Sequence, residues 1–422
     1  MTKVIISGGG WAGCAAAIAA LKQGAEVSIL ERTDMLLGSG LVGGIMRNNG
    51  RYTAAEEAIN MGGGDLFKLI DETTRHKNVD FPGHQHASLY DIASIEPVIR
   101  DFLVQNGVQL HLNVTARDVN LKEDKIESLI TGHGEVQGDV FIDTTGTAGP
   151  MKNCIKYGNG CAQCIYRCSS FGERVSITAQ AGIQEITGKN SDGTQGAMSG
   201  SCKLLKDSLS EDIVHQLDST GTAIVSIPQE LLESDDFTKK KACQQYALKE
   251  YYDNIILLDT GHAKLMTPFF PIEYLRKIPG FEKARFEDPY AGGVGNSIRY
   301  MALAPRDNYL NVQGIKNLFC AGEKSGLLVG HTEAIITGTL AGFNAVRYGL
   351  DDELIEIPRS TMCGEAIAYV GEQMTTEEGR AIKYTFSGSV LFDYLNQWGY
   401  YTTDHEIIED RIEQAGFKDI FK

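Results

Sequence analysis

Four cysteines crowd into fifteen residues of this 422-residue chain, at Cys154, Cys161, Cys164 and Cys168, while the other five are scattered. Thiols packed for bulk alone have no reason to bunch in this way. The C-x6-C-x2-C-x3-C spacing suits four thiolates around a [4Fe–4S] cluster, a zinc knuckle with an unusual second half, or a redox dithiol formed by Cys161 and Cys164. The spacing alone does not separate these, and inert thiols stay open as well. A second constellation lies at the N-terminus, where Gly8, Gly9, Gly10, Trp11, Ala12 and Gly13 spell G-x-G-x-x-G, and Glu31 follows 18 residues beyond Gly13. The first glycine of such a run permits the tight turn, the second admits a pyrophosphate, and the third lets helix and strand touch. A carboxylate at the end of the next strand accepts hydrogen bonds from ribose hydroxyls and repels a 2′-phosphate, which disfavours NADP in this site.

Those groups need a scaffold, and the flanking sequence supplies one. Val4 to Ile6 reads as a buried strand, Cys14 to Leu21 as a small-residue helix ended by Gly24, and Val27 to Leu30 as the strand that delivers Glu31. A glycine-rich run from Leu36 to Arg51 suits backbone passing close to a flat ligand, or a surface loop. Helices are expected over Ala54–Met61, Asp65–Arg75 and Asp91–Asn106, with Phe81–Leu89 as an edge strand carrying His84 and His86 on one side. A metal there lacks a third ligand, so packing histidines are the simpler reading. Val108–Val114, Val119–Leu121 and Ile126–Thr131 read as short antiparallel strands, and Val140–Ile142 as a buried strand entering the turn at Asp143, Thr144, Thr145 and Gly146. Near the C-terminus, the Leu318–Cys320 strand leads through Gly322, Glu323 and Gly330 into a long helix from Thr332 to Tyr348, lined with small residues.

The expected architecture is α/β: a Rossmann-like cofactor domain in two parts, 1–150 and 308–350, an inserted mixed α+β domain at 151–307 carrying the cysteines, and a helical C-terminal region at 351–422. A net charge of −16 argues against a broad phosphate-binding surface, which disfavours nucleic acid as a partner. No apolar run reaches the roughly 18 residues of a membrane span, and the first strand leaves no room for a signal peptide, so no membrane partner and a cytoplasmic location are expected.

With these residues in view, the chain resembles the glutathione-reductase-like FAD-dependent oxidoreductases. Glu333, Ala334, Gly338, Gly342, Asn344 and Ala345 look most like flavoproteins related to glucose-inhibited division protein A and the folate-dependent tRNA methyltransferases. The loop Leu41–Arg51 and the run Phe141 to Gly146 look more like general bacterial FAD-dependent oxidoreductases. The resemblance implies FAD held by Gly8, Gly10, Trp11, Ala12, Gly13, Glu31 and Arg32 at its adenosine end. It further implies contacts from Gly43, Gly44, Val114, Thr145 and Gly146, and from Gly322, Glu323, Gly330, His331 and Thr332 toward the flavin. Arg47 and Arg51 become candidates for contact with a substrate anion or the flavin, and His331 for proton donation. No second G-x-G-x-x-G follows a strand, so no separate NAD(P)H domain is expected. The main expectation is two-electron chemistry on a small-molecule substrate. A flavin- and folate-dependent RNA-modifying enzyme, or an FAD electron-transfer subunit with a redox partner protein, are the alternatives, and a homo-oligomer is open.

Overall fold

The computed structural model describes residues 1–146, 175–188, 197–199, 201–232, 248–267, 270–287, 297–299 and 302–422. Its centre is a five-stranded parallel sheet built from both ends of the chain. β1 (Lys3–Ser7) is followed by α1 (Trp11–Lys22) and β2 (Glu26–Glu31), the local unit that alternating small and apolar residues dictate. β1 lies between β2 and β10 (Val140–Asp143), and β10 pairs in turn with β15 (Leu318–Cys320). Val4, Ile5, Ile6, Val140, Phe141, Ile142, Leu318 and Phe319 are fully buried, as a parallel sheet covered on both faces requires.

Between β2 and β10 the chain forms α2 (Gly40–Gly43), β3 (Ile45–Met46), α3 (Gly50–Asn60), α4 (Asp65–Glu72), β4 (Thr74–Phe81), β5 (His84–Tyr90), α5 (Ile95–Gln105), β6 (Gln109–Leu112) and the meander β7 (Ala116–Lys122), β8 (Lys125–Thr131) and β9 (Gly134–Gln137). Four expectations are corrected here. The segment after Gly107 is not the first antiparallel strand of the meander; β6 pairs parallel with β2 at the edge of the main sheet, the direction that a helical crossover through α5 imposes. β5 is not an edge strand, because it lies between β3 and β4, joined to β4 by the Pro82–Gly83 turn. Bulges in that pairing break the alternation of side chains, so His84 is buried while His86, at φ 61°, is turned outward onto Asn78. Helix α4 ends at Glu72, and Arg75 belongs to β4.

A second, antiparallel sheet orders β11 (Cys202–Leu204), β14 (Ala263–Leu265), β13 (Asn254–Asp259) and β12 (Thr222–Ser226), with α6 (Glu211–Thr220) packed against it around Leu204, Leu217, Leu257 and Phe281. After β15 the long helix α7 (His331–Gly349) crosses α1. A Cβ on Gly338 would stand 2.2 Å from the Ala12 carbonyl oxygen, and one on Gly342 the same distance from that of Ala16, so the helices meet backbone to backbone. The C-terminal region is helical: α8 (Met362–Gln373), α9 (Ser389–Gln397) and α10 (His405–Gln414). The buried Glu57 carboxylate of α3 ties it down, accepting from the Met362 and Cys363 N–H groups at the start of α8, both at 2.9 Å, and from Arg411 of α10 at 2.9 Å. No helix among the described residues is long and apolar enough to cross a membrane.

Candidate functional site

At the carboxyl edge of the main sheet, the G-x-G-x-x-G turn is held by its own sterics. Gly8 has φ +107°, and a Cβ on Gly13 would lie 2.0 Å from the Gly8 carbonyl oxygen. Thr144 braces the turn from β10, its hydroxyl donating to the Gly8 carbonyl at 2.6 Å. Gly10 differs: among the described residues a Cβ there meets nothing within 4 Å, and no side chain caps the N-terminus of α1. That space, with unsatisfied N–H groups and the positive end of a helix facing it, is what a diphosphate occupies. Glu31 is nearly buried beside it. One carboxylate oxygen accepts the Gly9 N–H at 2.8 Å, and the other accepts the Thr33 N–H and hydroxyl at 2.9 and 3.0 Å. Arg32 follows at half burial, and the Val114 N–H donates to the Glu31 carbonyl at 2.9 Å. Thr145 hydrogen-bonds Asp143, and Gly146 adopts φ +67°, where a Cβ would meet nothing within 4 Å among the described residues.

The far end of the site is built by α7. Gly322, at φ +66°, donates its N–H to Thr337 at 2.9 Å and comes against Ala12; Glu323 is half-buried next to it. The helix starts at His331 with Thr332 buried, and again no side chain caps it. The glycine-rich loop touches this terminus directly: a Cβ on Gly43 would fall 1.7 Å from the His331 ring, and Gly44, at φ +74°, faces Thr260. Tyr90, absent from the sequence-based expectation, completes this corner. Its hydroxyl donates to the Gly40 carbonyl at 2.7 Å and lies 3.4 Å from His331 Nδ1, while its ring meets Trp11 edge-on at 6.0 Å.

The two arginines separate. Arg51 reaches α7, where Nε lies 3.1 Å from both carboxylate oxygens of the buried Glu333. The same carboxylate accepts from the Thr385 hydroxyl and the Phe386 N–H, so its charge is fully engaged and does not cancel the positive end of α7. Arg47 turns away and is neutralised by Glu56 and by Asp71 at 2.8 Å, which leaves it anchoring α3 to α4. Asn48, also unforeseen, links the corner to His84: its amide donates to His84 Nδ1 at 3.0 Å, and its oxygen accepts from Arg51 at 3.3 Å. Burial and the nearby Arg51 charge hold the His84 imidazole down to about 3, so it is neutral. Cys14, in the first turn of α1, is pushed the opposite way from an activated thiol, since burial and the Glu31 charge raise it. Contacts between residues 240 to 340 apart, such as Tyr90 with His331 or Asn49 with Ser387, leave no local signal in a sequence.

Cys154, Cys161, Cys164 and Cys168 lie outside the described residues. Among the described residues no group of three histidine, cysteine or acidic side chains could hold a metal ion. The described residues do fit an FAD: an uncapped helix end on an open Gly10 space, a carboxylate beside it, and a second uncapped helix end at His331.

Residues 3–151 match the family model for FAD dependent oxidoreductase, and residues 266–353 match that for glucose inhibited division protein A. Over these two segments the chain is similar to FAD-dependent oxidoreductases. A stretch of 137 residues is 29% identical to the tRNA uridine 5-carboxymethylaminomethyl modification enzyme MnmG of Cytophaga hutchinsonii, covering 32% of this chain and 20% of that protein. A stretch of 96 residues is 36% identical to the methylenetetrahydrofolate–tRNA-(uracil-5-)-methyltransferase TrmFO of Caldicellulosiruptor bescii, covering 22% of this chain and 21% of that one. The match thus spans about a fifth of each curated relative. Among solved structures, Aquifex aeolicus GidA superposes over the whole chain and 74% of its own, with a TM-score of 0.68 at 17% identity, a likeness of fold. One expectation falls on these findings. The acidic net charge argues against nucleic acid as a partner, yet the relatives are named for action on tRNA. Net charge constrains the average surface and is silent on a local binding face.

Proposed function

We propose that this chain is an RNA-modifying enzyme that reduces a one-carbon unit with electrons from bound FAD and transfers it to an RNA base. The observation that carries this reading is the match of the 266–353 segment to the division-protein family, in a chain where the uncapped starts of α1 and α7 come together through Trp11 and His331, their ring centroids 6.1 Å apart. In this reading Glu31 binds the adenosine ribose and the start of α1 the diphosphate. The start of α7, with His331, faces the flavin, which when bound supplies two-electron redox chemistry. The cytoplasm is the corresponding location. The cysteine run at 154–168 enters as thiols, metal ligands or both, and iron, sulfide and zinc counts on the same preparation decide which.

The purified protein is tested for FAD uptake by its visible spectrum, then incubated with unmodified tRNA, reduced nicotinamide and a methylene-bearing folate, and the RNA is digested for mass spectrometry. A heavier uridine supports the reading. Flavin turnover with every nucleoside unchanged leaves a flavin oxidoreductase of another substrate class and overturns the RNA assignment.

A further inference from the structure

The second sheet sends two lysines toward the flavin corner. Lys203 on β11 and Lys264 on β14 are direct cross-strand partners, and both reach the C-terminal carbonyls of α2. Lys264 Nζ donates to the Val42 carbonyl at 2.8 Å, and Lys203 to that of Leu41 at 3.3 Å. The next residue, Gly43, is the one pressed against the His331 ring. Lys264 is buried, and among the described residues no carboxylate lies within ion-pair distance of it. A lysine merely capping a helix end would keep its head in water or pair with an acid.

The surrounding charges are spoken for elsewhere. Lys203 faces Glu287 at 3.9 Å, and Glu287 also meets His262 at 3.2 Å. On β13, Asp259 is held by Lys206, Arg75 and His76. Beyond Gly43 stands His331, and α2 offers only carbonyls. Burial, with the Lys203 charge beside it, brings the Lys264 ammonium down to about 7.

We propose that Lys264 is a redox-linked proton acceptor of the flavin site, taking one proton from solvent when the site gains negative charge. The proposal rests on the FAD reading above. Reduction of a bound flavin by a hydride donor brings two electrons and one proton, which adds one negative charge to the site. Lys264, neutral above neutral pH in the oxidised protein, then becomes the ammonium (NH2 + H+ → NH3+) and balances that charge. It acts through the field it generates across the loop, as a positioning residue for charge.

The test uses FAD-loaded protein with lysines labelled by 13C at Cε, Lys264 being assigned from the Lys264→Met or Lys264→Arg spectrum. The Lys264 signal should titrate near neutrality in the oxidised protein and about one pH unit or more higher after dithionite reduction. The same midpoint in both states, or an ordinary lysine midpoint in the oxidised protein, overturns the proposal. Proton uptake on reduction, followed with an indicator dye at a pH midway between the two midpoints, should be lower by about half a proton or more per electron pair in either variant than in the wild type. Equal uptake overturns the proposal as well. Failure to take up FAD sinks the functional reading and this inference together, whereas FAD uptake with an unmoved Lys264 midpoint sinks the inference alone.

Discussion

Two glycines three positions apart show how differently single residues of one motif are constrained. Gly13→Ala sets a methyl group 2.0 Å from a backbone oxygen, so it should lower stability by about 1–3 kcal/mol and loosen FAD. Gly10→Ala meets open space at an ordinary extended φ of −73°, so urea unfolding should move by less than about 0.5 kcal/mol while FAD affinity, read by flavin fluorescence, drops. Equal stability losses in the two variants would refute the assignment of the Gly10 space. The buried His84 makes a pH prediction. Its folded value of about 3 lies below the ordinary 6.5, so the unfolded chain binds the extra proton first. Its contribution to stability is whole above 6.5 and is lost as pH falls toward 3, by ~3 kcal/mol at pH 4. His84→Gln should flatten that part of the stability curve in acid denaturation, and an unchanged slope would mean that another group sets it. The glycine turn and the placement of Glu31 were legible because they lie within one β-α-β unit. His331 stood out as a residue at a helix start, but nothing in the sequence places Tyr90, Asn48 or Glu333 around it.

The elements were legible where pattern and partner are local. Apolar strands with glycine turns mark β1, β2, β10 and β15, and four-residue spacing of small side chains marks α7 as a tightly packed helix. Direction was not legible at β6, because a half-exposed edge strand alternates alike whether its neighbour runs parallel or antiparallel. The α1–α7 crossing is the element that joins both halves of the candidate cofactor site. Gly338→Ala introduces a methyl group 2.2 Å from the Ala12 carbonyl, so the helices must part. The expected result is a loss of about 1–3 kcal/mol together with weaker FAD retention, since both uncapped helix ends move. Calorimetry and gel-filtration absorbance would measure the two effects, and retained FAD at wild-type affinity would show that the helix ends do not set the site.

Over the whole molecule, the buried Glu57 carboxylate is one of several ties between the C-terminal region and the candidate cofactor-binding core, beside those from Glu333 and Asn49. Glu57→Gln removes the negative partner of Arg411 and weakens two N–H contacts at the start of α8, a change expected to cost about 3–5 kcal/mol. Limited proteolysis should then cut within 351–422 well before the core, and an unchanged cleavage pattern would place the anchor elsewhere. Composition served less well at this scale. An overall charge of −16 was a poor guide to partners, because a catalytic face occupies a small share of a surface whose charge is dominated by the rest.

The central sheet also fixes an order of events during synthesis. β10 ends at Asp143, but the strand that covers its outer edge begins at Leu318, and α7 closes on α1 only once Gly349 has been made. At about 5–20 residues per second, the ribosome leaves that strand edge bare for roughly ten to thirty-five seconds. An unpaired strand edge of this kind is exposed to wrong partners through that interval, and the candidate cofactor site is complete only once α7 has been made, so slowing translation or depleting chaperones is expected to lower the yield of FAD-loaded protein.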